Sequence, residues 1–134
     1  MTDDKEILSV LYRQAEASSE FIGCILPQVE DERKREELQR EMREYVSVKV
    51  VSGEMLKKRN CEMKNTDKED EPIPNISGNP MNLVLQSHND NLEKLKEKEF
   101  DYRESKNDPK VVALFSEVIE KEERNIDNIR SIII

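Results

Sequence analysis

Apolar residues recur at intervals of three and four along four long stretches of the chain, and this period constrains the fold more than any other feature. In a helix, that spacing places the apolar side chains on one face. The repeat predicts four amphipathic helices at about 3–29, 31–59, 79–106 and 108–132. Each would be about 40 Å long, and matched lengths are typical of a bundle. The sequence therefore predicts an all-α four-helix bundle formed by a single domain, 1–134.

Residues suited to cap a helix precede each of these stretches. They are Thr2 and Asp3, then Asp31, then Asn79-Pro80, and finally Asn107-Asp108-Pro109. Pro27 removes a backbone hydrogen bond, so we expect a loosened last turn in the first helix, which ends near Val29. Residues 46–51 alternate like a strand, but the helical period continues on both sides and predicts a helix.

A segment of about 60–78 separates the second and third predicted helices. It is rich in Asn, Asp, Pro and Gly and has little apolar period, which indicates a linker. About 18 residues can extend for about 55–60 Å, enough to run the length of a 40 Å bundle. The chain therefore reads as two antiparallel helical hairpins joined by a long crossover linker. An antiparallel coiled-coil adaptor, whose linker stays at one end, is the alternative.

The balance of charge restricts the kinds of partner. Charged residues make up 39% of the chain, and the net charge is −8. An acidic chain with no clustered positive surplus is not expected to bind nucleic acid. Apolar runs are too short to span a membrane, and the first residues do not resemble a signal peptide. With two cysteines, Cys24 and Cys61, expected to be free thiols, we predict a cytoplasmic protein.

Two tight hairpins joined by one long crossover resemble the ferritin-like superfamily. The runs Ile25-Leu26-Pro27-Gln28-Val29-Glu30-Asp31-Glu32 and Glu120-Lys121-Glu122-Glu123-Arg124-Asn125-Ile126 are also similar to small uncharacterised ferritin-like bundle proteins of Firmicutes. The resemblance implies a bacterial four-helix bundle. In the metal-bearing members, two helices each supply one Glu and the other two each supply Glu-x-x-His.

This chain departs from that metal pattern on three helices. The fourth helix offers Glu122-x-x-Asn125, and the second offers Glu41-x-x-Glu44 or Glu44-x-x-Ser47, all without His. The one histidine, His88, is preceded at the required spacing by Leu85. We therefore expect no metal and no other cofactor.

Glu122 is the polar residue that stands out on the apolar stripes, because it lies between Ile119 and Ile126. Burying a lone charge there would be costly. In an antiparallel hairpin it should face Leu92, with His88 one turn away. With a crossover, Ser18 or Ser19 of the first helix should lie at the same level.

Such a cluster has two interpretations. The favoured one is a satisfied polar layer within the core. The other is a weak metal site formed by Glu122, His88 and a first-helix carboxylate, Glu16 or Glu20; Glu122 and His88 alone fall short of the usual three protein ligands.

No catalytic constellation is present in the sequence. No Ser or Cys lies in a glycine elbow, and the three glycines are too far apart for a phosphate loop. We therefore expect a non-enzymatic structural or protein-interaction module, with a metal-binding or metal-storage bundle that uses Glu122 and His88 as the alternative. A homodimer or another protein partner would bind through a helical face or through the tail Ile132–Ile134, which otherwise closes the end of the bundle.

The stripes also predict the residues of the core. We expect the following side chains to be nearly buried: Ile22, Leu38, Met42, Leu92, Leu95, Phe115, Ile119 and Ile126. Lys49 also falls on a stripe, and its stem should cover the core while its ammonium group reaches water.

Overall fold

A computed structural model shows the chain as four helices packed side by side. It describes residues 2–61, 79–103 and 106–133. The helices are α1 (Asp4–Ile25), α2 (Glu32–Lys58), α3 (Pro80–Arg103) and α4 (Pro109–Ile133), and these residues contain no strand. The all-α, four-helix prediction is confirmed, and the strand-like stretch 46–51 lies within α2. Most of the predicted linker, 62–78, and the last residue of the tail, Ile134, lie outside the described residues.

Each helix begins directly after its predicted cap, because the cap side chain accepts a hydrogen bond from the first turn. The donors are the backbone N–H groups of Glu6 to Asp3, Lys34 to Asp31, Met81 to Asn79 and Lys110 to Asp108, at 2.9–3.0 Å. These bonds satisfy N–H groups that have no partner within the helix.

The ends of α1 and α2 also follow from the local sequence. Pro27 ends the regular α-helix at Ile25, and a 3₁₀ turn, Leu26–Gln28, continues it to Val29. After α2, Asn60 adopts a positive φ of 58°. The Cys61 N–H then reaches the Leu56 carbonyl at 2.9 Å, as expected for a helix closed by a left-handed residue.

Contacts at one end of the bundle fix the direction of every helix. Asp4 accepts a hydrogen bond from the Tyr102 hydroxyl at 2.6 Å and one from the Asp108 backbone N–H at 3.1 Å. Arg59 forms an ion pair with Asp108 at 2.6 Å. The start of α1, the end of α2, the end of α3 and the start of α4 therefore meet. The helices run up, down, down and up, whereas the coiled-coil adaptor predicts up, down, up, down.

The core follows the predicted stripes with two corrections. Buried as predicted are Ile22, Leu38, Leu95, Phe115, Ile119 and Ile126. Met42 and Leu92, which were predicted to be nearly buried, are only half-buried. Glu41, the residue next to Met42, is buried instead, and so is His88, one turn before Leu92 on the same stripe.

The remaining predictions for single residues concern the surface and the ends. Lys49 is half-buried, and its ammonium group pairs with Glu16 at 3.3 Å. Ile133 packs against the core, while Cys24 and Cys61 are free thiols. None of the described helices combines the length and the apolar character that crossing a membrane requires.

Candidate functional site

His88 occupies the middle of the bundle and bridges two acidic side chains. Its ring is 1% exposed, and it reaches the interior from α3. The Nε2 atom lies 2.5 Å from Oε1 of Glu41 on α2, and the Nδ1 atom lies 2.8 Å from Oε2 of Glu122 on α4. Both ring nitrogens are therefore engaged by carboxyl groups, one from each neighbouring helix.

Three further side chains complete what we call the polar layer. The Tyr45 hydroxyl donates to Oε1 of Glu122 at 2.5 Å and lies 2.8 Å from Nδ1 of His88. The Asn91 amide donates to the Ser18 hydroxyl at 2.8 Å and also reaches Oε1 of Glu122 at 3.4 Å. The polar layer consists of Ser18, Glu41, Tyr45, His88, Asn91 and Glu122, and every helix contributes to it.

The charge of the polar layer follows from two raised pKa values. Burial opposes protonation of His88, but hydrogen bonds with Glu122 and Glu41 outweigh it and raise the pKa of His88 to about 9. Burial raises the pKa of Glu41 to about 8, helped by Glu37 and opposed by His88. Both raised pKa values favour the protonated form at pH 7, so an imidazolium at His88 faces a protonated Glu41.

The two oxygens of Glu41 have different surroundings. Oε2 of Glu41 is buried and accepts no hydrogen bond from the described residues. Glu37 lies one turn earlier on α2, and Glu41 and Arg40 lower its pKa despite partial burial. Oε2 of Glu41 thus has no hydrogen-bond partner among the described residues, whereas Oε1 contacts His88.

Asn125, which stands where the ferritin-like pattern has His, is buried and fastens α4 to α2. Its Oδ1 accepts from Arg40 at 3.0 Å, and its Nδ2 donates to Glu44 at 3.2 Å. Arg40 also pairs with Glu37 and, at 3.1 Å, with Glu44. Asn125 thus supports the rim of the polar layer and points to no metal chemistry.

The donors of the polar layer do not fit a metal ion. The two carboxyl groups contact opposite sides of the His88 ring, so neither nitrogen has a free lone pair for a metal. Among residues 2–61, 79–103 and 106–133, no three His, Cys, Asp or Glu side chains are grouped so that they could hold one. Of the four residues of the metal-binding alternative, the structure joins Glu122 and His88. Glu16 instead pairs with Lys49, and Glu20 is exposed.

The polar layer has little space for a small molecule. The cleft beside it, between α2 and α4, is lined by Tyr45, Glu122 and Asn125 among others and holds about 10 Å³. That volume accommodates about one water molecule. A substrate therefore has no room next to Tyr45 and Glu122.

Sequence reasoning found part of this cluster and missed the rest. It expected Glu122 near His88 and a first-helix serine at the same level, and Ser18 occupies that place through Asn91. It expected Glu122 to face Leu92 with His88 one turn away, and Glu122 contacts His88 at 2.8 Å and Asn91 at 3.4 Å. Glu41 and Tyr45 were missed as members of the site.

The opposite side of α2 carries a second feature that the sequence reasoning did not assign. Val46, Val50 and Val51 are 48%, 53% and 36% exposed. We call Arg43, Val46, Ser47, Val50, Val51 and Glu54 the outer face of α2; all six are exposed. An apolar strip in the middle of a charged helix is a candidate contact surface.

The chain has no match to known proteins that identifies it. No protein-family model matches it, and no significant match is found among curated proteins or solved structures.

Proposed function

We propose that this chain is a non-enzymatic bundle of the ferritin-like type that acts as a protein-interaction module through the outer face of α2. The exposed valines of that face carry the proposal. The polar layer has the complementary role of holding the four helices in register.

The ferritin-like part of the proposal is supported by the order of the helices. Up, down, down and up is the order expected of two hairpins joined by a crossover. The starts of α1 and α4 lie at the same end as the ends of α2 and α3, through Asp4, Tyr102, Asp108 and Arg59. Four helices of 22–27 residues also agree with a bundle of matched lengths.

The interior supports a structural role over catalysis or metal storage. His88, Tyr45 and Glu122 are saturated by one another. A group that is already fully hydrogen-bonded has to break those bonds before it can bind a ligand. The donor geometry therefore favours the interaction module over the metal-binding bundle.

Neither packing within the described residues nor helix propensity explains why valines occupy these exposed positions, and this favours an interaction surface. β-Branched residues lose side-chain freedom in a helix, so Val is a weaker helix former than Lys, Glu or Ala. Val46 and Val50 are about half exposed, so they gain little from burial within the described residues. A partner that covers them would recover about 25 cal/mol for each Å² of apolar surface.

A paired substitution tests whether the outer face is free for a partner. Val46→Lys with Val50→Lys should leave the free energy of unfolding within about 0.5 kcal/mol of wild type, as is usual at exposed sites. The matched control is Val48→Lys, since Val48 points inward and is buried; it should destabilise by several kcal/mol. Chemical denaturation measures both.

An equal loss of stability in the two variants would contradict the proposal. If the Val46→Lys, Val50→Lys variant loses as much stability as Val48→Lys, the valines pack within the chain itself. The outer face would then not be an interaction surface.

A further inference from the structure

We infer that the partner of the outer face of α2 is a second copy of this chain, bound with the two α2 helices antiparallel about a twofold axis. The inference rests on the proposed function and names the partner of the same surface. The arrangement of charges around the valines selects this partner.

The outer face is complementary to itself when reversed. In an antiparallel pair, residues at equal distances from the axis face each other across the two copies. An axis between residues 48 and 49 places Val46 opposite Val51 of the other copy and Ser47 opposite Val50. It also places Arg43 opposite Glu54. Each dimer would thus have a valine centre with an oppositely charged pair on each side.

The two flanking charges are available for that contact. Arg43 and Glu54 are both exposed, and neither forms an ion pair or a side-chain hydrogen bond with another described residue. Their neighbours behave differently: Arg40 pairs with Glu37 and Glu44, and Glu44 also pairs with Arg124 at 2.5 Å. Within the described part of the chain, Arg43 and Glu54 thus have no charged partner beside the exposed valines.

The same charges select the antiparallel orientation. A parallel twofold pair would place Arg43 opposite Arg43 and Glu54 opposite Glu54, and like charges across an interface are unfavourable. The span from Arg43 to Glu54 covers about 16 Å of helix. An interface of this size is below that of most permanent complexes, so the dimer should be weak and should form as the protein concentration rises.

Charge reversal tests this arrangement by sedimentation equilibrium over a range of protein concentrations. Wild type should dimerise reversibly. Arg43→Glu alone and Glu54→Arg alone each place like charges across the interface, and each should raise the dissociation constant at least tenfold. The double variant, Arg43→Glu with Glu54→Arg, restores both pairs and should return the dissociation constant to within about threefold of wild type.

Lys5→Glu is the matched control, because Lys5 is an exposed cation on α1 and the change in net charge equals that of Arg43→Glu. It should leave the dissociation constant unchanged. Failure of the double variant to restore dimerisation would overturn the antiparallel pairing.

Two other outcomes would also overturn the inference. A dimer that Arg43→Glu does not weaken forms through another surface, such as Ile132–Ile133 or Phe100, which is 77% exposed on α3. A wild-type protein that stays monomeric up to millimolar concentration does not self-associate. If the paired lysine substitutions at 46 and 50 still leave stability unchanged, the interaction module stands with a different partner. If they destabilise the fold, the module itself fails.

Discussion

The middle of α2 carries polar side chains on its inner face and apolar side chains on its outer face, although the rest of the helix is amphipathic in the usual sense. Its inner face places Glu41, 0% exposed, and the buried Tyr45 in the core. Its outer face places Val46 and Val50 in contact with solvent. His88 and Glu122 contact the polar side chains inside, apart from Oε2 of Glu41, whereas the valines outside lack a matching partner among the described residues. The inner face of α2 is therefore covered by the other helices, whereas its outer face is left exposed.

What the inner face gains from polar residues is specificity of packing. Apolar side chains tolerate many alternative packings, whereas a buried carboxyl group requires a donor at a particular place. His88 meets Glu41 and Glu122 from two different helices at once. This bridge fixes the register of α2, α3 and α4 relative to one another.

The largest expected effect comes from breaking the bridge. His88→Leu would leave Glu41 and Glu122 buried without their cation, and removing one partner of a buried ion pair costs about 3–5 kcal/mol. We expect a loss of that size in the free energy of unfolding, measured by urea denaturation.

A triple variant tests whether unpaired polar groups, rather than the changed shape of the core, cause the loss of stability in His88→Leu. Glu41→Leu, His88→Leu and Glu122→Leu together remove the bridge and both of its acids, and they leave the Tyr45 hydroxyl without its two partners, so part of the lost stability should return. If the triple variant is less stable than His88→Leu alone, the bridge is not the reason for the loss.

The free energy of unfolding should also depend on pH, and the sign of this dependence follows from the two raised pKa values of Glu41 and His88. The folded state holds a proton on Glu41 up to about pH 8 and one on His88 up to about pH 9, whereas in the unfolded chain they ionise near 4.5 and 6.5. The folded state thus binds more protons across this range, so stability falls as the pH rises from about 5 to 9. We expect the free energy of unfolding to fall steadily across this range.

Denaturation of wild type and of the triple variant at a series of pH values measures this effect. The lowered pKa of Glu37 acts only below about pH 4.5, outside the range compared. The triple variant should show a nearly flat profile. A wild-type stability that rises from pH 6 to 9 would show that His88 and Glu41 do not hold these protons.

The fold was largely predictable because its signals are local. Asp3, Asp31, Asn79 and Asp108 act through hydrogen bonds to their own first turns, so a sequence pattern of a few residues is sufficient. The register of the helices was harder, because it depends on contacts between residues as far apart as Asp4 and Asp108.

The polar layer was only partly predictable because two adjacent residues can fit the same helical stripe. Glu41 lies three residues after Leu38 and four before Tyr45, but Met42 fits nearly as well and is apolar. Because Met42 was assigned to the core, the burial of Glu41 was not predicted. Val46 and Val50 belong to a β-branched run inside a predicted helix. That run was interpreted only as a strand-like pattern, although both positions lie off the apolar stripe, which indicates the surface of the helix.

The most direct test of the division between the two faces of α2 is a series of ¹H–¹⁵N NMR spectra of the wild-type protein at increasing concentration. Our account predicts concentration-dependent shifts concentrated at the amides of residues 43–54 whose side chains point outward. The amides around His88 and Glu122 should stay unchanged, since the polar layer is complete within one chain. Spectra that do not change in α2, or changes centred on Phe100 or on Ile132–Ile133, would contradict the account.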